Sequence, residues 1–241
     1  SSLTPTVINT PTPTVTPPPE AKIETTIVTS QTRAIDNAVE VLIQSTEDQA
    51  NWFWIDRTEV TNRQYQACIE AGACSENAAG YADLFYEAKH PVVGVDWPQA
   101  QAYCQWVGGS LPTVSQWRAA VSPDGRIYPW GDTGPTCQVA IINDACDSEE
   151  VGTRPVGSKP EGASPFGVLD MVGNAWEWTA TLGNKDDAHV TLGGSWSNPD
   201  RTPQGGLEAF NPANTLSQGE TLQANNLGFR CARLYTPAAT E

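Results

Sequence analysis

Apolar positions in this chain keep a strand-like rhythm first and a helix-like rhythm after it. Glu24–Gln31 (ETTIVTSQ) and Ala38–Gln44 (AVEVLIQ) are rich in β-branched residues and partly alternate, which predicts two strands. Phe53–Asp56 predicts a third. Thr61–Ala71 then takes up helical spacing, with Thr61 or Asn62 as its N-cap. DWPQAQAYCQWVGG predicts a second helix, with Asp96 as N-cap, Pro98 near the first turn and Gly108–Gly109 as the stop. LPTVSQWRAAV predicts a third, capped by Thr113. After Ser122 the rhythm breaks into loops and short strands. Ahead of everything, residues 1–20 (SSLTPTVINTPTPTVTPPPE) form a Pro/Thr segment that favours polyproline II and builds no core. The expectation is an α+β fold with long ordered loops: an extended tail over 1–20, a strand-forming extension over 21–37 and one domain over 38–241.

Composition narrows the partners. Thirteen Lys and Arg stand against 28 Asp and Glu, a net charge of −15. Nucleic acid, which needs clustered cations, is excluded as an expected partner, and so is an anionic membrane surface. No apolar run approaches the ~18 residues that span a bilayer, so no membrane insertion is expected. The surplus carboxylates read first as solubility, and second as a means of holding a hard cation such as calcium. Nine Trp in a chain rich in Gly and Pro suggest loops pinned by indoles.

The six cysteines are even in number. Cys68 and Cys74 bracket one short loop, and Cys137 and Cys146 another, which leaves Cys104 and Cys231. Spacing alone does not choose among the pairings. If all are bridged, the compartment is oxidising. A zinc site is the rival reading, but no CxxC occurs and His90 and His189 lie far from any cysteine cluster.

Several phrases occur in one order: WIDRTEVTNRQY (54–65), PVVGVDWPQAQAYCQWVGGSLPTVSQW (91–117), YPWGD (128–132), RPVGS (154–158), FGVLDMVGNAWEWTA (166–180), LGGSW (192–196) and LGFRCAR (227–233). Together, across about residues 38–235, they resemble the formylglycine-generating enzyme (sulfatase-modifying factor) family, a branch of the C-type-lectin-like fold. The oxidising members of that family carry two reactive cysteines after the Gly-Gly-Ser-aromatic phrase. Those positions hold Asn198 and Pro203 here. Neither side chain supplies the thiolate that binds copper and activates oxygen. The resemblance therefore implies a catalytic floor without its reactive groups, and no copper. Other members without the cysteines are iron enzymes with a His-x-x-x-Glu-His signature. Neither His90 nor His189 sits in one, so no iron is expected.

The resemblance implies more. It pairs Cys104 with Cys231, the two left over by the local pairs. It places a structural calcium on Asp170, Gly173, Ala175 and Glu177, where two carboxylates and two carbonyls of a Gly-rich turn would supply oxygens. The competing reading is a turn in which Asp170 and Asn174 satisfy backbone donors. A second calcium site would fall on Asn143 and Asp147. Arg230 reads as a buried ion-pair partner or a ligand group, and Trp178 and Trp196 as internal packing or stacking surfaces. The chain departs from the family at Gly109–Ser110 and Ser115–Gln116, both near the expected surface.

Function is then expected to be an exported or cell-surface, non-catalytic module. It would bind a protein or glycan through loops 196–226, with Trp196, Asn198, Asp200, Arg201 and Asn211 as contact residues. The alternative is a structural subunit that joins copies of itself into a filament, the N-terminal arm adding a strand to a neighbour's sheet.

Overall fold

The computed structural model describes residues 29–44, 51–122, 124–142, 151–197, 211, 213 and 215–237. Eleven regular elements lie among them: β1 (Ser30–Thr32), β2 (Val39–Ile43), β3 (Phe53–Asp56), α1 (Asn62–Glu70), α2 (Trp97–Trp106), α3 (Val114–Val121), β4 (Trp176–Leu182), β5 (Ala188–Leu192), β6 (Leu216–Gly219), β7 (Leu227–Gly228) and β8 (Ala232–Leu234). Two four-stranded sheets run in the orders β1-β2-β3-β8 and β6-β5-β4-β7. The first is antiparallel throughout; in the second, β4 and β7 run parallel. The α+β class expected from the sequence is the one observed.

Each helix starts where its local chemistry says it should. Thr61, Asp96 and Thr113 accept a hydrogen bond from the backbone N–H three residues on, at 3.3, 2.9 and 3.2 Å. Gln64, Gln99 and Gln116 return the bond to the capping residue's own N–H. Each cap contributes about 0.5–2 kcal/mol.

The helices and sheets enclose two main apolar clusters. One gathers α1 and α2 around Tyr65, Tyr103, Trp178 and Phe229. The other packs α3 against β2, β3 and β5 through Trp117, Ile55 and Leu192. Trp117 and Trp178 are both fully buried. β4 is the most regular element after Ser122, where the sequence suggests mostly loop. Its sequence, WEWTATL, alternates apolar and polar residues strictly, the pattern of a strand, although its first four residues are all buried.

The segment expected as an extension is stitched into the domain as far as it is described. Arg33 donates to Asp36 at 2.9 and 2.6 Å, to Asp56 at 2.8 Å and to Glu40 at 3.2 Å. Tyr103 on α2 donates to Asp36 at 2.5 Å, and Arg233 on β8 holds both oxygens of Glu40. The turn after β1 thus joins three strands and a helix. Residues 1–28, which include the Pro/Thr tail and most of Glu24–Gln31, lie outside the described residues.

Two disulfides are in place, Cys68–Cys74 and Cys104–Cys231. Cys137 is also disulfide-bonded, and Cys146, its expected partner, lies outside the described residues. No helix among the described residues is long and apolar enough to cross a membrane.

Candidate binding site

The stretch Leu192–Ser197 leaves β5 through two glycines and is fixed from below. Gly193 and Gly194 have φ of 97° and 73°, a conformation that favours glycine. The Gly193 carbonyl accepts from Gly173 N–H at 2.9 Å, and Trp196 N–H donates to the Asn174 carbonyl at 3.0 Å. Asn226 reaches Ser195 Oγ at 3.3 Å and the Ser197 carbonyl at 3.4 Å. The Trp196 indole donates to the Asn225 carbonyl at 3.3 Å and packs on Phe85 with ring centroids 5.5 Å apart. Ser195 is completely buried and Trp196 nearly so. The stem is therefore rigid up to Ser197. Asn198, Asp200, Arg201 and Pro203 follow directly and lie outside the described residues.

Beneath the stem is a buried charge cluster. Arg230 and Glu177 are both fully buried. Arg230 Nε donates to Glu177 Oε2 at 2.7 Å and Nη2 to Oε1 at 2.6 Å. The remaining guanidinium bonds go to the carbonyls of Asp56 and Leu169. The Trp117 indole gives Glu177 a further bond at 2.7 Å. Of the two readings of Arg230, the structure shows the ion pair.

Glu59, which the sequence did not single out, lies beside it. Its carboxylate accepts from Asn174 Nδ2 at 2.7 Å and Ala175 N–H at 2.9 Å. Burial pushes its pKa well above the usual range, and the Asp170 and Glu177 charges add to the push. Asp170 is likewise pushed up, to about 6, by burial, against the Gly157 N–H and Arg230. Its Oδ2 accepts from that N–H at 2.6 Å. The Gly-Asn pair at 173–174 makes this possible: both have positive φ, and a Cβ at Gly173 would sit 2.2 Å from the Ile141 carbonyl oxygen.

The four residues expected to hold calcium share this turn. Their donors are all oxygens, which suits a hard cation. Glu177 already accepts three hydrogen bonds, so of its roughly four lone-pair sites about one is left for a metal. A cation here would share Glu177 with Arg230. Among the described residues no group of three or more His, Cys, Asp or Glu could hold a metal. Asn143 and Asp147 lie outside them.

Two further features bear on catalysis and contact. Thr153 Oγ1 lies 3.0 Å from His90 Nδ1, and Glu87 Oε2 lies 3.3 Å from Nε2, an order that imitates a hydroxyl–imidazole–carboxylate relay. Thr153 is completely buried. Trp178 is equally buried and donates to the Val95 carbonyl. Asn211 caps its own turn through Ala213 N–H at 2.9 Å and lines a hollow of about 350 Å³ with Arg118 and Arg126.

The family model for the sulfatase-modifying factor enzyme 1-like domain matches residues 17–235. The chain belongs to this family. It is 34% identical over 154 residues to the inactive C-alpha-formylglycine-generating enzyme 2 of Bos taurus, covering 59% of this chain and 50% of that protein. It is 30% identical over 181 residues to the formylglycine-generating enzyme of Mus musculus, covering 66% and 48%. The chain thus spans about half the length of these relatives. PvdO from Pseudomonas aeruginosa superposes with a TM-score of 0.65 at 18% identity, over 86% of this chain and 98% of that one, which shows the shared fold. Within the sulfatase-modifying factor enzyme 1-like family, the Gly-Gly-Ser-Trp stem of this chain is thus built on the common scaffold, with Asn198 and Pro203 following it.

Proposed function

We propose that this chain is an exported, non-catalytic member of its family that binds a protein or glycan partner through residues 196–226, the segment into which the Leu192–Ser197 stem leads. The observation that carries this reading is the rigid stem. Leu192–Ser197 is held by hydrogen bonds from Gly173–Asn174 and Asn225–Asn226 and by packing on Phe85, and it leads into a run of Asn, Pro, Asp, Arg, Thr and Gln. A fixed base that leads into a polar run suits a contact segment. The missing thiols at Asn198 and Pro203, and the likeness to a relative named inactive, support the non-catalytic part. The disulfides support export.

The test replaces residues 198–210 with a Gly/Ser segment of equal length. Both proteins are then immobilised against extracellular extract and a glycan array, and sedimented alone. Partners retained by the intact chain and lost by the variant are expected. The reading is overturned if the variant loses none of the partners that the intact chain retains. Concentration-dependent self-association that survives the replacement would favour the second reading, assembly through the N-terminal arm. The motive for that reading is β1, an edge strand of the first sheet that follows the arm directly.

Calcium at Asp170, Gly173, Ala175 and Glu177 belongs to the same proposal, as a brace for the turn beneath the stem. Chelator-treated protein is expected to melt at a higher temperature once calcium is added, by several degrees. The Asp170→Asn variant should lose that response. No change on adding millimolar calcium would remove the metal from the account.

A further inference from the structure

The outer face of α1 forms a groove of about 460 Å³, lined by Asn62, Arg63, Gln66, Glu70, Asn77 and Tyr86 among others. This is within the size range of small-molecule sites. Several of its walls are locked. Both amide protons of Asn62 go to the carbonyls of Phe85 and Glu87, at 2.8 and 2.9 Å. Asn77 donates to the Val93 carbonyl at 2.9 Å. Tyr86 is 39% exposed, yet its hydroxyl accepts from Tyr81 N–H at 3.2 Å and donates to the Ala78 carbonyl at 3.1 Å. Its ring stacks on Tyr81 with centroids 6.5 Å apart. A fixed, exposed aromatic face costs little entropy to use.

The chemistry left over is selective. The amide oxygens of Asn62 and Asn77 accept no bond among the described residues, and Glu70 receives only a 3.5 Å contact from Gln66. Arg63 is exposed, and its guanidinium makes no hydrogen bond or ion pair among the described residues. It stands two helical turns from Glu70, about 10 Å along the axis. An anionic ligand would meet Glu70, the carbonyl oxygens and a chain of net charge −15. A cationic one would meet Arg63. An apolar one would strand the oxygens. A ligand that donates and accepts at once, carries no charge and offers one apolar ring face satisfies all of them.

We propose that this groove binds a neutral saccharide of one or two units. Its hydroxyls donate to Asn62, Asn77 and Glu70 and accept from Arg63, and its C–H face lies on Tyr86. The groove is separate from the Leu192–Ser197 stem. The short turn Asp83–Tyr86 divides them, with Phe85 packed on Trp196 and Tyr86 in the groove.

The test screens the intact chain on an array of defined neutral and anionic glycans. The strongest neutral binder is then titrated against the wild type, Arg63→Ala, Tyr86→Ala and the 198–210 replacement. Neutral glycans should be retained, and each point variant should weaken binding by roughly ten-fold, with the loop replacement unchanged. Arg63 is exposed and its guanidinium is unpaired among the described residues, so Arg63→Ala is expected to melt like the wild type. Binding of no glycan, or of anionic glycans only, overturns the proposal. So does a neutral glycan whose affinity is unmoved by both point variants; loss in the loop replacement alone would assign that sugar to the loop instead.

Discussion

Arg230→Ala should destabilise the protein by about 3–5 kcal/mol, because it strands Glu177 in a water-free interior. The pair is fully buried on both sides. Removing the guanidinium leaves Glu177 with the Trp117 indole alone and beside two more buried carboxylates, Glu59 and Asp170. It also orphans the carbonyls of Asp56 and Leu169. Against a total stability of ~5–15 kcal/mol for a typical domain, the variant would be largely unfolded near its melting range or fail to accumulate. Arg230→Lys should recover little, since a single ammonium cannot reproduce four bonds made by a planar fork. Replacing both partners with Met should recover much of the loss, because the pair then no longer leaves a charge behind. Denaturant unfolding followed by Trp fluorescence reads all three. A loss under about 1 kcal/mol in Arg230→Ala would show that the cluster is not what holds the turn beneath the stem.

The second large effect should come from Cys104–Cys231. This bridge closes 127 residues and joins α2 to the segment between β7 and β8. Its sulfurs sit in the first apolar cluster. Loop entropy alone predicts a loss of about 4–5 kcal/mol when both cysteines become Ala. Cys68–Cys74 spans only six residues, and the same argument gives roughly 2 kcal/mol. The expected order of melting temperatures is therefore wild type, then Cys68→Ala/Cys74→Ala, then Cys104→Ala/Cys231→Ala. Equal losses would mean that the long bridge acts on the folded state and not by restraining the unfolded chain.

What the sequence revealed, and what it hid, follows the range of the interactions. The helix starts at Thr61, Asp96 and Thr113 were legible because a cap is settled within three residues. Glu59 was not. In RTEVT it reads as one more surface acid, and its burial comes from Asn174 and Ala175, more than a hundred residues away. The one local hint was Gly-Asn at 173–174, a pair that tolerates positive φ and can turn a side chain inward. Arg33 was missed likewise: its partners Asp36 and Glu40 are near in sequence, but Asp56 and Tyr103, which tie that turn to the core, are not. β4 was legible in the strict alternation of WEWTATL, which a reading of loops and short strands after Ser122 passes over. Trp178 left two readings open, and only the packing decides between them. Asn198, Asp200 and Arg201 remain the chemistry by which the proposed contact loop would act.

We propose that this family member has the scaffold without the oxidising chemistry. This proposal is tested most directly by incubating the full chain with copper, oxygen and a peptide carrying the target cysteine of a sulfatase, and following the peptide by mass spectrometry. The account predicts that the cysteine is recovered unchanged by this route, with a formylglycine-generating enzyme converting the same peptide alongside. Conversion of that cysteine to the aldehyde by this chain would contradict the account, since Asn198 and Pro203 offer no thiolate to do it.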